Sequence, residues 1–169
     1  MSPKVTRKPN CWWITASERD PEHGWHWDNF LKNPNDPRQP IDWGGPEWIK
    51  SSVSFVRIQE MRKGDIIVAY QAGEGIVGFA SLASNGYQHI EGGDFDTFDL
   101  DPSHTIRFIS PIPYPVISQL PEAAEQFEFV KIKQGTVFRV SQMGFDAVVN
   151  FALAFNPAQE NSIRNFLTR

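Results

Sequence analysis

Tryptophan is the residue type with which this sequence could do the most chemistry. The chain contains six tryptophans, and all of them fall between Trp12 and Trp48. An indole ring offers a large flat face for stacking. Proteins that take a base out of its stack hold it between such faces and read its edge through hydrogen bonds. The cluster therefore indicates a ring-binding pocket, although a core position is the commoner outcome for any single tryptophan.

Patterns for catalysis and metal binding are weak. His23 and His26 stand three residues apart with no fixed carboxylate partner. The aspartates between Asp94 and Asp101 lack the internal glycine and terminal glutamate of a calcium loop, so we interpret them as a solvated, acidic segment. No nucleophile elbow or phosphate-binding glycine loop occurs, and Cys11 opens an apolar strand. We therefore expect no catalytic residues, no metal and no cofactor.

The charge balance limits the kind of partner. The net charge is −4, and the excess of acidic residues lies in residues 90–169. Sequence-independent binding of a long duplex needs many Lys and Arg contacts to phosphates, and no long basic run supplies them. A nucleic-acid partner is therefore expected to be recognised at a local feature.

Cellular context follows from a few further features. A single cysteine excludes an internal disulfide and fits a reducing compartment. The longest apolar stretch, residues 148–155, is too short to span a bilayer. The polar start, residues 1–10, does not have the pattern of a secretory signal. We expect a cytoplasmic protein without a membrane partner.

Periodicity and turn residues predict the elements that must position these side chains. Residues 1–10 are expected to form a flexible arm, and residues 11–169 a single domain. The expected strands are 11–15, 66–70, 76–84, 105–109 and 135–140, with 66–70 and 76–84 paired as a hairpin. The expected helices are 25–31, 120–127, 141–155 capped by Ser141, and one that Asn156 caps. Residues 33–40 and 85–104 are expected to be loops, and 53–61 fits a strand or a helix equally well.

Five segments of the chain form a set with a family pattern: Trp12-Trp13-Ile14, Trp43-Gly44-Gly45, Met61 to Tyr70 (MRKGDIIVAY), Gly75 to Ala80 (GIVGFA) and Gln134 to Phe138 (QGTVF). In this order they resemble an EVE domain, which belongs to the PUA-like superfamily and is related to the YTH domain. One departure is that many EVE domains have Trp-Asp-Gly-Val-Arg-Asn where this chain has Trp43-Gly44-Gly45-Pro46-Glu47-Trp48.

The resemblance implies an α+β fold, namely a PUA-like mixed, partly closed β-barrel of about five to six strands with flanking helices. It also implies a non-catalytic reader that takes a flipped modified base, such as methylated or hydroxymethylated cytosine or methylated adenine, in DNA or RNA. A context in modification-dependent defence, with a separate effector such as a nuclease, is a further implication. Carried over from the family are Trp43 as the pocket tryptophan and Tyr70 at the end of its strand.

Physical reasoning adds other residues to the predicted site. Trp13 and Trp48 are further ring candidates, Ser51 and Ser52 are hydrogen-bond donors at the rim, and Tyr87 or Phe95 could cover the ligand. The predicted phosphate contacts are Lys4, Arg7, Lys8, Arg57, Arg62 and Lys63. Two alternatives stay open at this point: a PUA-like enzyme or metabolite-binding domain, and a protein-interaction module with a tryptophan-rich surface.

Overall fold

Seven strands form a mixed sheet in the described part of the chain, and helices pack on both of its faces. A computed structural model describes residues 8–17, 26–32, 34, 42–44, 53–89, 95–132 and 136–168. The strands are β1 (Cys11–Ala16), β2 (Asp42–Gly44), β3 (Ile66–Gln71), β4 (Gly75–Leu82), β5 (Tyr87–His89), β6 (Phe95–Ile112) and β7 (Val137–Val140). The helices are α1 (Trp27–Leu31), α2 (Val53–Glu60), α3 (Tyr114–Ser118), α4 (Ala123–Gln126), α5 (Glu128–Lys131), α6 (Gln142–Phe155) and α7 (Glu160–Leu167).

The order of the strands confirms the predicted α+β class. Hydrogen bonds connect them in the order β2-β6-β4-β3-β1-β7, and β5 also pairs with β6. β1 and β3 are parallel, whereas the other pairs are antiparallel. The predicted hairpin of β3 and β4 is confirmed. Among the described strands the path runs from β2 to β7 without closing on itself, so the sheet is open.

Two hydrophobic cores lie on opposite faces of this sheet. Successive side chains of a strand point to opposite faces, and β1 divides its tryptophans accordingly. Trp12 belongs to the same core as Trp27 and Phe30 of α1, while Trp13 belongs to the second core, together with Val148 of α6. Because Trp12 and Trp13 are adjacent in β1, their indole rings lie on opposite faces of the sheet and in different cores.

The predicted loop over residues 85–104 is wrong, because most of it is paired strand. β5 lies within it, and β6 starts at Phe95 and continues to Ile112. β6 has partners along its length: β2 and β5 at its start and β4 further on. The hydrogen bonds to these neighbouring strands stabilise an extended conformation that the polar, acidic sequence of the segment does not predict. The ambiguous segment before β3 is the helix α2, Val53–Glu60.

The C-terminal helices form as predicted, apart from one cap. Ser141 accepts a hydrogen bond from the Gly144 amide at 2.9 Å and begins α6. Asn156 makes no side-chain cap on the following 3₁₀ turn. Its amide oxygen instead accepts from the Ser110 N–H at 2.6 Å, and its amide nitrogen donates to the Ser110 carbonyl at 3.0 Å. The side chain thus replaces a neighbouring strand along the edge of β6.

Only the last residues of the predicted N-terminal arm are described. The Asn10 amide donates to Asp65 at 3.0 Å, and its carbonyl accepts from Ile66 at 2.9 Å, so the chain is fixed just before β1. None of the described helices combines the length and the apolar character needed to cross a bilayer.

Candidate nucleic-acid interface

A small three-stranded unit brings several of the predicted pocket residues into one region. β2 pairs with the start of β6, and Trp43 is the register partner of Phe98. β5 pairs with the same part of β6, where Tyr87 is the partner of Thr97 and Phe95 opens the strand. Trp43, Tyr87 and Phe95 therefore belong to backbone positions that lie within four residues of one another along β6. Trp48, Ser51 and Ser52 fall outside the described residues.

Close backbone contact holds this unit against α2. The Gly86 amide donates to the Met61 carbonyl at 3.2 Å. A Cβ atom on Gly86 would lie 1.9 Å from the carbonyl oxygen of Ile58 in α2, a distance that only glycine avoids. The Ser84 hydroxyl accepts from the Asp99 amide at 3.0 Å and connects the end of β4 to β6. The backbone just before β5 is therefore held against α2 and the residue that follows it.

Trp43 and Tyr70, the two pocket residues carried over from the family resemblance, belong to different strand pairs of the sheet. Tyr70 pairs with Ile76 at the start of β4. The β6 segment that pairs with β2 adjoins Leu100, which is the partner of Leu82 at the end of β4. The backbone of Tyr70 and that of Trp43 therefore adjoin opposite ends of β4.

Tyr70 and Trp13 belong to a separate aromatic cluster. The ring of Trp13 stacks on Tyr70 with centroids 4.9 Å apart and on Phe129 with centroids 4.8 Å apart. Tyr114 meets Tyr70 edge-on at 6.2 Å. Trp13 is 0% exposed, so it has no free face for a base and serves as a core residue. Burial, and secondly the nearby Tyr114, raise the pKa of the half-buried Tyr70 phenol.

The Gly-Asp element of the family resemblance has a structural role here. Gly64 adopts a φ of +90°, which favours glycine, and forms the turn before β3. Asp65 is fully buried, and its carboxylate accepts from the indole N–H of Trp12 at 3.0 Å and the Arg62 amide at 2.9 Å. Together with its bond to Asn10, these contacts satisfy the charge and fix the turn.

Among the predicted phosphate contacts that the structure describes, one side chain forms an ion pair with a carboxylate and three do not. Arg57 donates two hydrogen bonds to Glu128, with Nε at 3.0 Å from the carboxylate, so its guanidinium is already occupied. Lys8, Arg62 and Lys63 are exposed, and none of them has a carboxylate at ion-pair distance within the described ranges. Arg62 does donate to two backbone carbonyls. Lys4 and Arg7 lie outside the described residues.

A buried polar frame lies at the opposite end of the parallel strands, and the sequence interpretation missed it. Gln71 at the end of β3 accepts from the Trp27 amide at 2.9 Å and donates to the Ala16 carbonyl at 3.2 Å. These bonds join α1 to the ends of β1 and β3. A glutamine at the end of an apolar strand was the only sequence signal for this arrangement.

One group in this frame has the composition of a metal site but is engaged in ion pairs. His26, Asp28 and Glu74 offer ligand atoms within 4.8 Å of one another. The His26 Nδ1 accepts from the Asp28 amide at 3.0 Å, and Arg107 donates to Asp28 at 2.8 Å and lies 3.5 Å from Glu74. Burial opposes ionisation of Asp28, but hydrogen bonds from Arg107 and Lys32 outweigh it and lower the pKa. The Arg107 guanidinium already offsets the negative charge of these two carboxylates, so the group fits an ion-pair network.

Solved structures with a similar fold include one with bound DNA. Human THYN1, solved in complex with DNA containing 5-methylcytosine, aligns at 12% identity over 85% of this chain and 97% of that chain, with a TM-score of 0.61. Rpa0253 from Rhodopseudomonas palustris aligns at 18% identity over 81% and 88%, with a TM-score of 0.60. PSPTO5229 from Pseudomonas syringae aligns at 14% identity over 85% and 99%, with a TM-score of 0.61.

These likenesses establish the fold alone, which is an α+β arrangement of the predicted class. No protein-family model matches the sequence, and a search of curated proteins finds no match.

Proposed function

We propose that this chain is a non-catalytic reader that binds one modified base of a nucleic acid, flipped out of its stack. The observation that carries the proposal is the fold shared with human THYN1, whose structure holds DNA containing 5-methylcytosine. The motifs that resemble an EVE domain support the same interpretation independently of the coordinates. A separate effector, such as a nuclease in modification-dependent defence, is part of the proposal.

The proposed pocket lies beside the three-stranded unit of β2, β5 and the start of β6. Trp43, Tyr87 and Phe95 come from this unit, and Trp48, Ser51 and Ser52 come from the neighbouring sequence. Stacking on an aromatic ring contributes about 1–3 kcal/mol per base. Extrusion of the base costs a few kcal/mol, so rings and edge hydrogen bonds are both needed.

Discrimination of a modification requires more than apolar burial. One buried methyl group is worth about 0.8 kcal/mol, which is about a fourfold preference. A stronger preference needs a cage around the methyl group or a repulsive contact with the unmodified base. Phosphate contacts by Lys8, Arg62 and Lys63 would add affinity without base identity.

The test compares oligonucleotides that differ at one base. Fluorescence anisotropy is measured with DNA and RNA containing cytosine, 5-methylcytosine, 5-hydroxymethylcytosine, adenine or N6-methyladenine at one position. We expect one modified base to bind at least about fourfold more tightly than its unmodified counterpart. Equal affinity for every modified and unmodified pair would refute the reader.

Two matched pairs of variants test the assigned residues. Trp43→Ala is expected to weaken binding by about 5- to 150-fold, whereas Phe155→Ala, at an exposed ring of α6, is expected to leave it unchanged. Lys63→Ala is expected to reduce the salt dependence of binding, and Lys131→Ala, at an exposed lysine of α5, is not. Circular dichroism checks that each variant folds. Folded Trp43→Ala protein with full affinity would contradict the placement of the pocket.

A further inference from the structure

A cavity of about 150 Å³ lies between the amino ends of β1 and β3 and the helices α6 and α7. Its lining includes Lys8, Cys11, Ile66, Gln142, Phe145 and Leu167. β1 and β3 are separated from β2 by β4 and β6 in the sheet order. The cavity is therefore distinct from the pocket proposed beside Trp43.

The walls of this cavity are apolar. Cys11, Ile66, Phe145 and Leu167 are half-buried and pack against the second core. A cavity on the order of 150 Å³ with Leu, Ile and Phe walls accommodates a benzene ring. The volume therefore matches one six-membered ring more closely than the two fused rings of a purine.

The rim of the cavity is polar and carries unpaired positive charge. Lys8 is exposed and lines the cavity, with no carboxylate at ion-pair distance among the residues that the structure describes. Gly64 also lines the cavity, and the exposed Lys63 precedes it. The Gln142 amide nitrogen is held by Asp146 at 2.9 Å, which leaves its oxygen as an acceptor. An apolar slot with cations beside it suits a flat ring that carries a negative substituent.

We propose that this cavity is a second binding site, which takes the single ring of a pyrimidine nucleotide while Lys8 contacts its phosphate. Two sources share this chemistry: a free pyrimidine nucleotide, and a pyrimidine in a nucleic-acid strand held by the protein. Only the second source rests on the proposed reading function.

Cys11 provides a direct readout because it is the only cysteine of the chain. Burial, and secondly the carboxylate of Asp65, raise the pKa of the Cys11 thiol, so alkylation by iodoacetamide is followed at alkaline pH. In the intact protein, dCMP at millimolar concentration is expected to slow alkylation. Under the same conditions dAMP and inorganic phosphate are expected to have at most about one tenth of this effect. The purine of dAMP is larger than the ring site, and inorganic phosphate has no ring to bind there.

Two variants and a matched control separate the site from a general effect. Leu167→Trp fills the cavity and is expected to abolish protection by dCMP, whereas Leu153→Trp, at a half-buried leucine of α6 outside the lining, is not. Lys8→Glu, which needs no repacking, is expected to weaken dCMP binding by about tenfold or more. Equal protection by dAMP and dCMP, or protection that survives both site variants, would overturn the proposal.

The strand arm uses the same alkylation rate with oligonucleotides. Protection by a pyrimidine-containing strand but not by dCMP assigns the site to the strand, and protection by dCMP alone assigns it to the free nucleotide. Absence of protection in both arms rejects the site. The preference for a modified base is measured separately by anisotropy. If no such preference is found, the effect of dCMP on alkylation still decides whether the cavity binds a free nucleotide.

Discussion

Replacement of Arg57 by alanine tests whether this residue is a structural ion-pair partner or a phosphate ligand. Arg57 on α2 donates to Glu128 at the start of α5, and their side chains are only 13% and 24% exposed. Glu128 also accepts from the Arg139 amide, so the carboxylate connects α2 to β7 as well. Arg57→Ala would leave Glu128 charged with one partner in place of two.

The expected loss of stability follows from these contacts. Hydrogen bonds to charged groups are worth about 1.5–3 kcal/mol each, and removal of one partner of a buried pair costs about 3–5 kcal/mol. Because both side chains keep some solvent contact, we expect the lower end, about 3 kcal/mol. For a chain of this size, that corresponds to a fall in Tm of about 6–12 °C.

The pH dependence has a definite sign. Burial of Glu128 opposes its ionisation, but hydrogen bonds from Arg57 and Arg139 outweigh it and lower the pKa. A carboxylate with a lowered pKa stabilises the fold above its unfolded pKa, about 4.3, and this contribution is lost as pH falls through the folded pKa. The stability difference between wild type and Arg57→Ala is therefore expected to be full at neutral pH and to narrow below about pH 4.

Urea denaturation at several pH values measures the stability, and anisotropy at several salt concentrations measures the nucleic-acid contact. We expect Arg57→Ala to leave the slope of log K against log salt unchanged. Arg62→Ala or Lys63→Ala is expected to reduce that slope by about 0.9 for each phosphate of duplex DNA that the variant no longer neutralises. An Arg57→Ala protein with unaltered stability and a reduced salt slope would refute the structural role.

Three further predictions concern the turn before β3, the entry to β5 and the aromatic cluster. Asp65→Asn turns an amide toward donors such as the Trp12 indole and is expected to cost about 3 kcal/mol in urea denaturation; a change below about 0.5 kcal/mol would contradict this role. Gly86→Ala forces a Cβ atom against the Ile58 carbonyl and is expected to lower Tm and weaken binding of the modified base together, so full affinity would argue against a pocket beside β5. The Tyr70 phenol, buried and raised in pKa, is expected to titrate above its ordinary value of about 10 in ultraviolet absorbance. Protonation of the phenol contributes fully to stability below the ordinary pKa of about 10, and this contribution is lost as pH rises through the folded pKa. A Tyr70→Phe variant would not show this loss of stability at alkaline pH.

Local signals were sufficient for the elements whose patterns agree with their surroundings. The apolar run of β3 and its return in β4 predict a hairpin, and the structure has it. Ser141 predicts the start of α6 because its hydroxyl can satisfy a free amide of the first turn, and it does. The aromatic content also predicts ring clusters, although not their locations.

Long-range pairing decided the elements whose local patterns were uninformative. The acidic segment before Asp101 has turn-forming residues, yet β6 forms there because β2, β4 and β5 supply hydrogen-bond partners. Arg57 looks like a free cation in sequence, but Glu128, 71 residues away, occupies it. No local pattern reports a partner at that separation.

The tryptophans show most clearly the difference between what local sequence predicts and what long-range packing decides. By itself the sequence determined that all six tryptophans lie between Trp12 and Trp48, and that several segments of the chain resemble an EVE domain. Only the tertiary structure decided that Trp13 is enclosed between Tyr70 and Phe129, and that Trp43 pairs beside Phe98 at the far end of β4. The physical reason is that stacking chemistry belongs to a side chain, whereas access to one of its faces depends on what the register of distant strands packs against it.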